Sequence, residues 1–420
     1  MNDIAMASSK RRILPSSFSD LMLVAFLLWF GSYAYGYVFY HVPFKPLYSY
    51  FLLIGFVLFY ILRRAGSGLG VSGSGDVRFR AFLLWLCAYF VYLVLTFLLS
   101  VQDSVVVDYL IVYSESIALL GAFAILMATP RRLRMACGAI AILAIFASII
   151  CAYDFVRPTF TKVVGRGAGF YENPNLAGTF IALAMVAGLA AVPRRLRLFF
   201  IAFCGLGVLT TFSRSAYILW GLSAVALAWY GYFGSPRTRL AVSVGIILVG
   251  GGGTILLFTG AVGPLIQNSA ISPYLTPDTK MRLGIGSRVI AGSSASERER
   301  LIRNSLESAE KAPWIGHGLA HTRKWEYGAQ PHNMYLLFLV EGGVLGLAFF
   351  LTLLALLWLS SQGIGRVVAL QLFLGGVFAH TQFTEPASMI FFSFVFAHGA
   401  VVRLNRSLDS SSDASVPVAA

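Results

Sequence analysis

The sequence predicts an all-α fold, that of a polytopic integral membrane protein with about twelve transmembrane helices. Its 420 residues are 58% hydrophobic and only 12% charged, whereas a soluble domain carries about 25% charged residues. The apolar residues also fall into blocks of roughly 20, the length that a helix needs to cross about 30 Å of hydrocarbon. Composition and block length therefore agree on a chain that crosses a membrane many times.

The apolar blocks divide the chain into five regions. We predict a disordered head (1–19), nine transmembrane helices (20–262), a large external loop (263–332), three further transmembrane helices (333–403) and a disordered tail (404–420). The twelve predicted segments are 20–37, 46–62, 81–100, 107–128, 135–153, 174–193, 198–213, 215–233, 240–262, 333–359, 366–381 and 386–403.

Basic residues cluster at alternate ends of these segments, and this alternation predicts the orientation of the chain. More than half of the 32 Lys and Arg residues fall on one side, which the positive-inside rule assigns to the cytoplasm. Twelve crossings then place both termini in the cytoplasm. Because membrane topology accounts for the net charge of +14, we expect no nucleic-acid partner. The clusters are Lys10/Arg11/Arg12, Arg63/Arg64/Arg78/Arg80, Arg131/Arg132/Arg134, Arg194/Arg195/Arg197, Arg237/Arg239, Arg366 and Arg403/Arg406.

Residues 263–332 form the only long polar stretch, and a loop of that length is expected to contain structure of its own. Ser294 and Glu297 have the spacing of a capping box, which predicts a helix that continues to Lys311 and stops at the following Ala-Pro. On this helix Arg298 shares a face with the first apolar residues. We therefore expect Arg298 to lie on the side of the helix that packs.

Several arginines and one histidine on the external side are candidates for chemistry. Arg166 lies in a glycine-rich loop, Arg214 on a tight turn, Arg298 on the loop helix, and His332 where the loop re-enters the membrane. A guanidinium group binds phosphate oxygens with two parallel hydrogen bonds. A histidine can accept a proton from a hydroxyl near neutral pH. The pattern predicts a site that handles an anionic lipid head group, with a candidate base.

Patterns typical of metal or nucleotide sites are absent on this side. The external segments contain no Asp-x-Asp pair and no His-Glu-x-x-His sequence, and the chain has no phosphate-binding loop or nucleophile elbow. We therefore predict chemistry that uses neither a metal ion nor a cofactor.

Each candidate also has a structural interpretation that the sequence leaves open. Arg214 could reach ordinary phospholipid at the interface, and Arg166 could shape its own loop. Arg298 could pair with a neighbouring glutamate, and His332 could cap a helix. Glu341, inside the tenth segment, could orient its neighbours or close a contact between helices.

Four stretches together resemble the O-antigen ligase family, within the wider superfamily that includes O-antigen polymerases and bacterial O-oligosaccharyltransferases. They are GlyPheTyrGluAsnProAsn at 169–175, ThrPheSerArgSer at 211–215, Arg298 to Leu306 followed by AlaProTrpIleGlyHisGlyLeu at 312–319, and His332 to Gly346. The last stretch has the family's spacing of a histidine, ten residues and a glycine, from His332 to Gly343. In the loop helix Ile302 stands where the family usually has leucine.

The resemblance implies a metal-independent, inverting glycosyltransferase of the GT-C-like kind, surrounded by membrane lipids. It would transfer O-antigen from undecaprenyl pyrophosphate to a terminal sugar of lipid A–core, on the periplasmic face of the bacterial inner membrane. His332 would be the catalytic base that deprotonates the acceptor hydroxyl, and the pyrophosphate would be bound by Arg298, Arg214 and Arg166. The supporting residues would be Asn333, Glu341, Gly343, Asn173 and Asn175.

Three other activities remain open on the sequence alone. An O-antigen polymerase would use a second lipid-linked glycan as acceptor, and a protein O-oligosaccharyltransferase would use a serine or threonine. A flippase would need ionisable residues at mid-membrane, for which only Glu115 clearly qualifies. The oligomeric state is also open, with a monomer as the simplest expectation.

Overall fold

The computed structural model describes residues 17–41, 47–66, 75–233, 235–241, 243–245, 268–269, 272–282 and 293–413. Within these ranges every regular element is a helix and none is a strand. Seven of the described helices are long and apolar enough to cross a membrane. The predicted class, an all-α polytopic membrane protein, is confirmed.

The described helices are α1 (Phe18–Gly31), α2 (Ala34–His41), α3 (Leu47–Gly66), α4 (Val77–Leu99), α5 (Ser104–Met127), α6 (Pro130–Val156), α7 (Pro174–Gly188), α8 (Arg197–Thr210), α9 (Arg214–Trp229), α10 (Pro277–Arg282), α11 (Ser293–Lys311), α12 (His321–Lys324), α13 (Met334–Ser360), α14 (Gly363–Phe378) and α15 (Pro386–Asp413). The large loop predicted between 263 and 332 thus contains α10, α11 and α12.

The structure differs from the predicted segments at both ends of the chain. The first segment, 20–37, is interrupted between α1 and α2, where Tyr33 has a φ of 63°. The tail predicted to be disordered from residue 404 is helical to Asp413, because neither glycine nor proline occurs between residue 404 and Pro417. Most of the ninth segment, 240–262, lies outside the described residues, so the count of twelve crossings stays a prediction.

α15 and α7 lie at the centre of the helical bundle. The successive phenylalanines between Phe391 and Phe396 are almost fully buried, so α15 is covered on all sides by other helices. α7 is rich in small residues, which allow close helix packing. A Cβ atom on Gly178 would lie 2.7 Å from that of Ala216 on α9, and one on Gly188 would lie 2.8 Å from the α6 backbone. These contacts hold the loops that follow the helices in fixed places.

The two ends of the bundle differ in charge and in loop structure. At one end, which we call the basic end, Asp20 contacts Arg131 and Arg132, and Asp76 contacts Arg403. α4 and α6 begin at the basic end and therefore finish at the opposite one. We call that opposite end the loop face, and it consists of residues 157–173, 211–213, 312–333 and 379–385.

Asp76 joins two helices at the basic end. Its carboxylate caps α4 by accepting hydrogen bonds from the amides of Arg78 and Phe79, and it also binds Arg403 of α15. Burial raises the pKa of Asp76, but the hydrogen bonds from Arg403 and Phe79 outweigh it, so that the pKa lies below its ordinary value. The stabilisation is therefore present above the pKa of an unfolded aspartate and is lost as the pH falls through the lower, folded value.

We expect Asp76→Asn to lower the free energy of unfolding by about 2 kcal/mol at neutral pH, since asparagine still caps α4 but loses the charge that binds Arg403. Thermal unfolding in detergent, recorded as a function of pH, measures the effect. The difference from wild type should shrink as the pH falls, and a difference independent of pH would contradict the assignment. Arg403→Gln should behave like Asp76→Asn, whereas Arg406→Gln, which changes an exposed arginine on the same helix, should change little.

Candidate active site on the loop face

His332 lies on the loop face directly before α13. The helix is capped by Asn333, whose side chain accepts a hydrogen bond from the amide of Leu336 at 3.1 Å, so the interpretation of His332 as the cap is wrong. His332 is exposed, and one side of its ring lies against His380, with 5.0 Å between the ring centroids. The other side is open to a ligand.

The surroundings of His332 favour its neutral form. Desolvation on the packed side of the ring lowers the pKa of His332 below 6.5, the positive charge of Arg298 lowers it further, and Glu297 opposes the shift. A neutral imidazole keeps a lone pair that can accept a proton. The electrostatic effect of Arg298 also indicates that α11 carries this arginine to the neighbourhood of His332.

α11 begins at Ser293, one residue before the predicted cap, and ends at Lys311 as predicted. It packs through Leu301, which is buried in a cluster with Trp325 and Val340. Arg298 lies one turn earlier on the same face, but it is exposed. Ile302, which was predicted to share this packed face, is also exposed. The packed face of α11 is therefore narrower than predicted. The expectation that Arg298 lies on the side that packs is wrong, because its side chain is exposed.

Arg166 is buried and is 3% exposed. Its Nε donates a hydrogen bond to the carbonyl of Thr211 at 2.9 Å, and its Nη2 donates one to Asn175 Oδ1 at 2.8 Å. Asn173 caps α7 by accepting a hydrogen bond from the amide of Asn175 at 2.9 Å. These contacts join the glycine-rich loop to α7 and to the turn between α8 and α9. They favour the interpretation in which Arg166 shapes its own loop.

Asp154, at the end of α6, holds the same loop from the other side. One carboxylate oxygen accepts hydrogen bonds from the amides of Thr159 and Phe160, both at 2.8 Å, and the other accepts from Ala168 and Gly169, both at 3.0 Å. The side chain is completely buried. The backbone amides of the loop therefore take the place of water around its charge. We did not identify this residue from the sequence, although a lone carboxylate at the end of an apolar segment was a signal.

Arg214 is the first residue of α9 and is exposed. The turn before it is tight, with Phe212 at a φ of 49°, and Ser213 and Ser215 share a hydrogen bond of 3.2 Å. Within the described part of the chain Arg214 has no ion-pair partner. Arg214 directly follows the turn 211–213, whose Thr211 carbonyl binds Arg166. The guanidinium of Arg214 itself is exposed and can bind an anion.

The loop 379–385 contains three polar residues that we did not identify from the sequence. His380 lies beside His332, Gln382 is 3% exposed, and Glu385 is half-buried. Burial raises the pKa of Glu385 to about 7, against the hydrogen bonds that it accepts from side chains. A polar run between two apolar segments on the external side was the signal that could have found them.

The loop 379–385 connects the segment that contains His332 with the glycine-rich loop that contains Arg166. Glu385 accepts a hydrogen bond from the hydroxyl of Tyr33 at 3.2 Å. The ring of Tyr33 packs against Tyr171 of the glycine-rich loop, with centroids 5.5 Å apart. A continuous set of contacts therefore leads from His332 through 379–385 to the loop that carries Arg166.

α13 is broken at Gly343, which has φ 62° and ψ −159°. Residues 313–318, which we call the strap, supply the hydrogen bonds that the broken helix lacks, for example from the amide of Val344 to the carbonyl of Pro313 at 2.7 Å. A Cβ atom on Gly343 would lie 2.4 Å from the carbonyl carbon of Trp314. Only glycine fits this conformation and this contact, which explains the glycine at the end of the stretch from His332 to Gly343.

Glu341 is buried inside α13 and orients its neighbours. Its carboxylate accepts hydrogen bonds from the amide (3.3 Å) and the hydroxyl of Thr322. Gln330 then donates to the hydroxyl of Thr322 at 2.9 Å and to that of Tyr109 at 2.7 Å. These bonds fix α12 and the end of the large loop above α13, so the contacts favour a supporting role for Glu341.

The loop face carries the exposed His332, whose pKa is lowered by burial and by the charge of Arg298, and Arg214 is exposed at the turn between α8 and α9. Such a surface can accept a proton and bind an anion. Among the residues that the structure describes, no three His, Cys, Asp or Glu side chains lie close enough to hold a metal ion.

Comparison with known proteins shows which family the central part of this chain resembles. The model of the family described as O-Antigen ligase matches residues 198–351, a range that includes Arg214, Arg298, His332 and Gly343. An O-antigen ligase of Pseudomonas aeruginosa (strain PAO1) is 27% identical over 175 residues, which cover 36% of this chain and 42% of that protein. The match therefore spans less than half the length of that relative. The two matches confirm the predicted resemblance to the O-antigen ligase family.

Proposed function

We propose that this protein transfers O-antigen from undecaprenyl pyrophosphate to a terminal sugar of lipid A–core, with its active site on the periplasmic face of the bacterial inner membrane. The observation that carries the proposal is the exposed His332 on the loop face, with its ring against His380 and its pKa lowered by burial and by the charge of Arg298. The family match and the name of the P. aeruginosa relative support the substrate class. The basic clusters at the opposite end of the bundle support the orientation.

The reaction is a single displacement at the anomeric carbon of the donor. The acceptor hydroxyl oxygen forms a bond to this carbon while its proton passes to His332. The bond between the carbon and the pyrophosphate oxygen breaks, and the leaving pyrophosphate takes the electron pair. Attack from the side opposite the leaving group inverts the anomeric centre. No other reactant is needed for the balance of atoms and charge.

Arg298 and Arg214 are the arginines that we assign to the leaving pyrophosphate. Both are exposed on or beside the loop face, and fixed positive charges aimed at a developing negative charge are typically the largest catalytic contribution. Arg166 differs, because two of its nitrogens already bond to Thr211 and Asn175. We assign it the role of holding the loop beside the donor.

The first test uses the purified protein in lipid nanodiscs with the lipid-linked donor, lipid A–core and EDTA. Wild type should produce capped lipid A–core, and His332→Ala should lower the rate by about 10²–10⁴-fold, the usual contribution of a general base. Elongated donor chains without capped core would indicate a polymerase instead. Donor binding without transfer to any acceptor would support a flippase.

The pH dependence of transfer provides a second test. The base must be neutral, so the rate should fall only when the pH drops below the pKa of His332, which lies under 6.5. Removing the charge of Arg298 raises that pKa. The acid limb of the Arg298→Gln profile should therefore move to higher pH, and that of Glu297→Gln to lower pH. Arg300→Gln, an exposed neighbour on the same helix, is the matched control, and an equal shift in it would contradict the assignment.

A third test distinguishes the role of Arg214 from that of Arg166. Arg214→Ala should raise the donor KM by about tenfold or more without changing thermal stability, since it removes an exposed charge. Arg166→Ala should lower the unfolding temperature, because it leaves the carbonyl of Thr211 and the side chain of Asn175 without their donor. If both variants unfold like wild type and differ only in donor KM, Arg166 binds the donor directly.

A further inference from the structure

The loop 379–385 leaves three buried polar atoms without hydrogen-bond partners among the described residues. They are Nδ1 of His380 and both Nε2 and Oε1 of Gln382. Buried polar atoms are almost always hydrogen-bonded, because leaving one unpaired costs its full desolvation. Three such atoms within three residues of chain, beside the candidate base, indicate that His380 and Gln382 pair with each other in a second arrangement of these side chains.

The neighbouring helix is shaped to accept Gln382. A Cβ atom on Gly375 of α14 would lie 2.9 Å from the Nε2 of Gln382, and one on Gly376 would lie 3.6 Å from its Oε1 and from Cβ of Met334. The amide thus lies where the last turn of α14 meets the first turn of α13. That turn begins one residue after Asn333 and two after His332. An apolar side chain would fill the same space without any unpaired atom, so the amide has a use beyond packing.

His380 provides the contact with the loop face. It is only half-buried, and its ring lies 5.0 Å from that of His332, at an interplanar angle of 60°. Burial, the neighbouring His332 and Arg323 lower the pKa of His380 to about 4. The ring is therefore neutral near pH 7 and offers one donor and one acceptor nitrogen. A sugar hydroxyl, which both donates and accepts, matches such a group.

We infer that His380 and Gln382 form a hydroxyl-binding subsite for the acceptor sugar, next to His332. His380 contacts the sugar, and Gln382 positions His380 by pairing with its Nδ1. The terminal torsions of both side chains are broad, so rotation about these torsions pairs the two groups when the acceptor binds. The inference rests on the proposed function, since it places the acceptor hydroxyl beside His332. To that function the inference adds two residues, His380 and Gln382, that select the acceptor.

The test measures equilibrium binding of fluorescently labelled lipid A–core, and separately of the lipid-linked donor, to the full chain in nanodiscs. His380→Ala should weaken acceptor binding by about tenfold and leave donor binding unchanged. His380→Gln, which retains a donor and an acceptor near the position of Nε2, should recover most of the affinity. Gln382→Leu should weaken acceptor binding less than His380→Ala. His321→Gln, which alters another half-buried histidine of the loop face, is the matched control.

The outcomes separate this inference from the proposed function. Selective loss of acceptor binding in the His380 and Gln382 variants supports the subsite, even if wild type transfers nothing, in which case the proposed reaction fails alone. Unchanged acceptor binding with an active wild type overturns the subsite and leaves the reaction standing. Loss of donor binding, or a lower unfolding temperature with equal loss of both ligands, also overturns it.

Discussion

The loop face depends on hydrogen-bond partners for backbone groups that no helix satisfies. Unpaired amides and carbonyls are costly in apolar surroundings. Non-helical backbone that is buried in the protein therefore needs hydrogen-bond partners from other residues in place of water. Asp154 provides one by accepting hydrogen bonds from five amides between residues 159 and 169. The strap 313–318 provides another where α13 breaks at Gly343. Each of these two sets of hydrogen bonds fixes a segment that contains candidate site residues.

In the proposed reaction the charge of Arg298 serves two purposes that act together. The guanidinium would bind the pyrophosphate, and the same charge lowers the pKa of His332. A base beside a cation is weaker, but it remains unprotonated and ready to accept a proton at neutral pH. When the pyrophosphate arrives, its negative charge offsets that of the arginine, and His332 becomes more basic at the moment when it must take a proton. Donor binding would thus prepare the base.

Part of the site could be predicted because its signals are local in the sequence. The end of α11 at Lys311 follows from Ala-Pro, and the importance of Gly343 follows from its distance to His332. Asp154 and Gln382 were missed because their partners come from other segments, and no periodic pattern marks such partners. The exposure of Ile302 was missed because helical periodicity indicates which residues share a face, not how wide the neighbouring helix is.

The sequence by itself determined the class of the protein, the polar loops and the positions of His332, Arg214 and Arg298, because hydrophobic length and local spacing suffice for these. Only the tertiary structure decided the burial and the contacts of each residue. Arg166 and Arg214 look alike in sequence, yet one is buried against a carbonyl 45 residues away and the other is exposed. The physical reason is that burial and hydrogen-bond partners arise when separate helices pack, and this information is absent from any single segment.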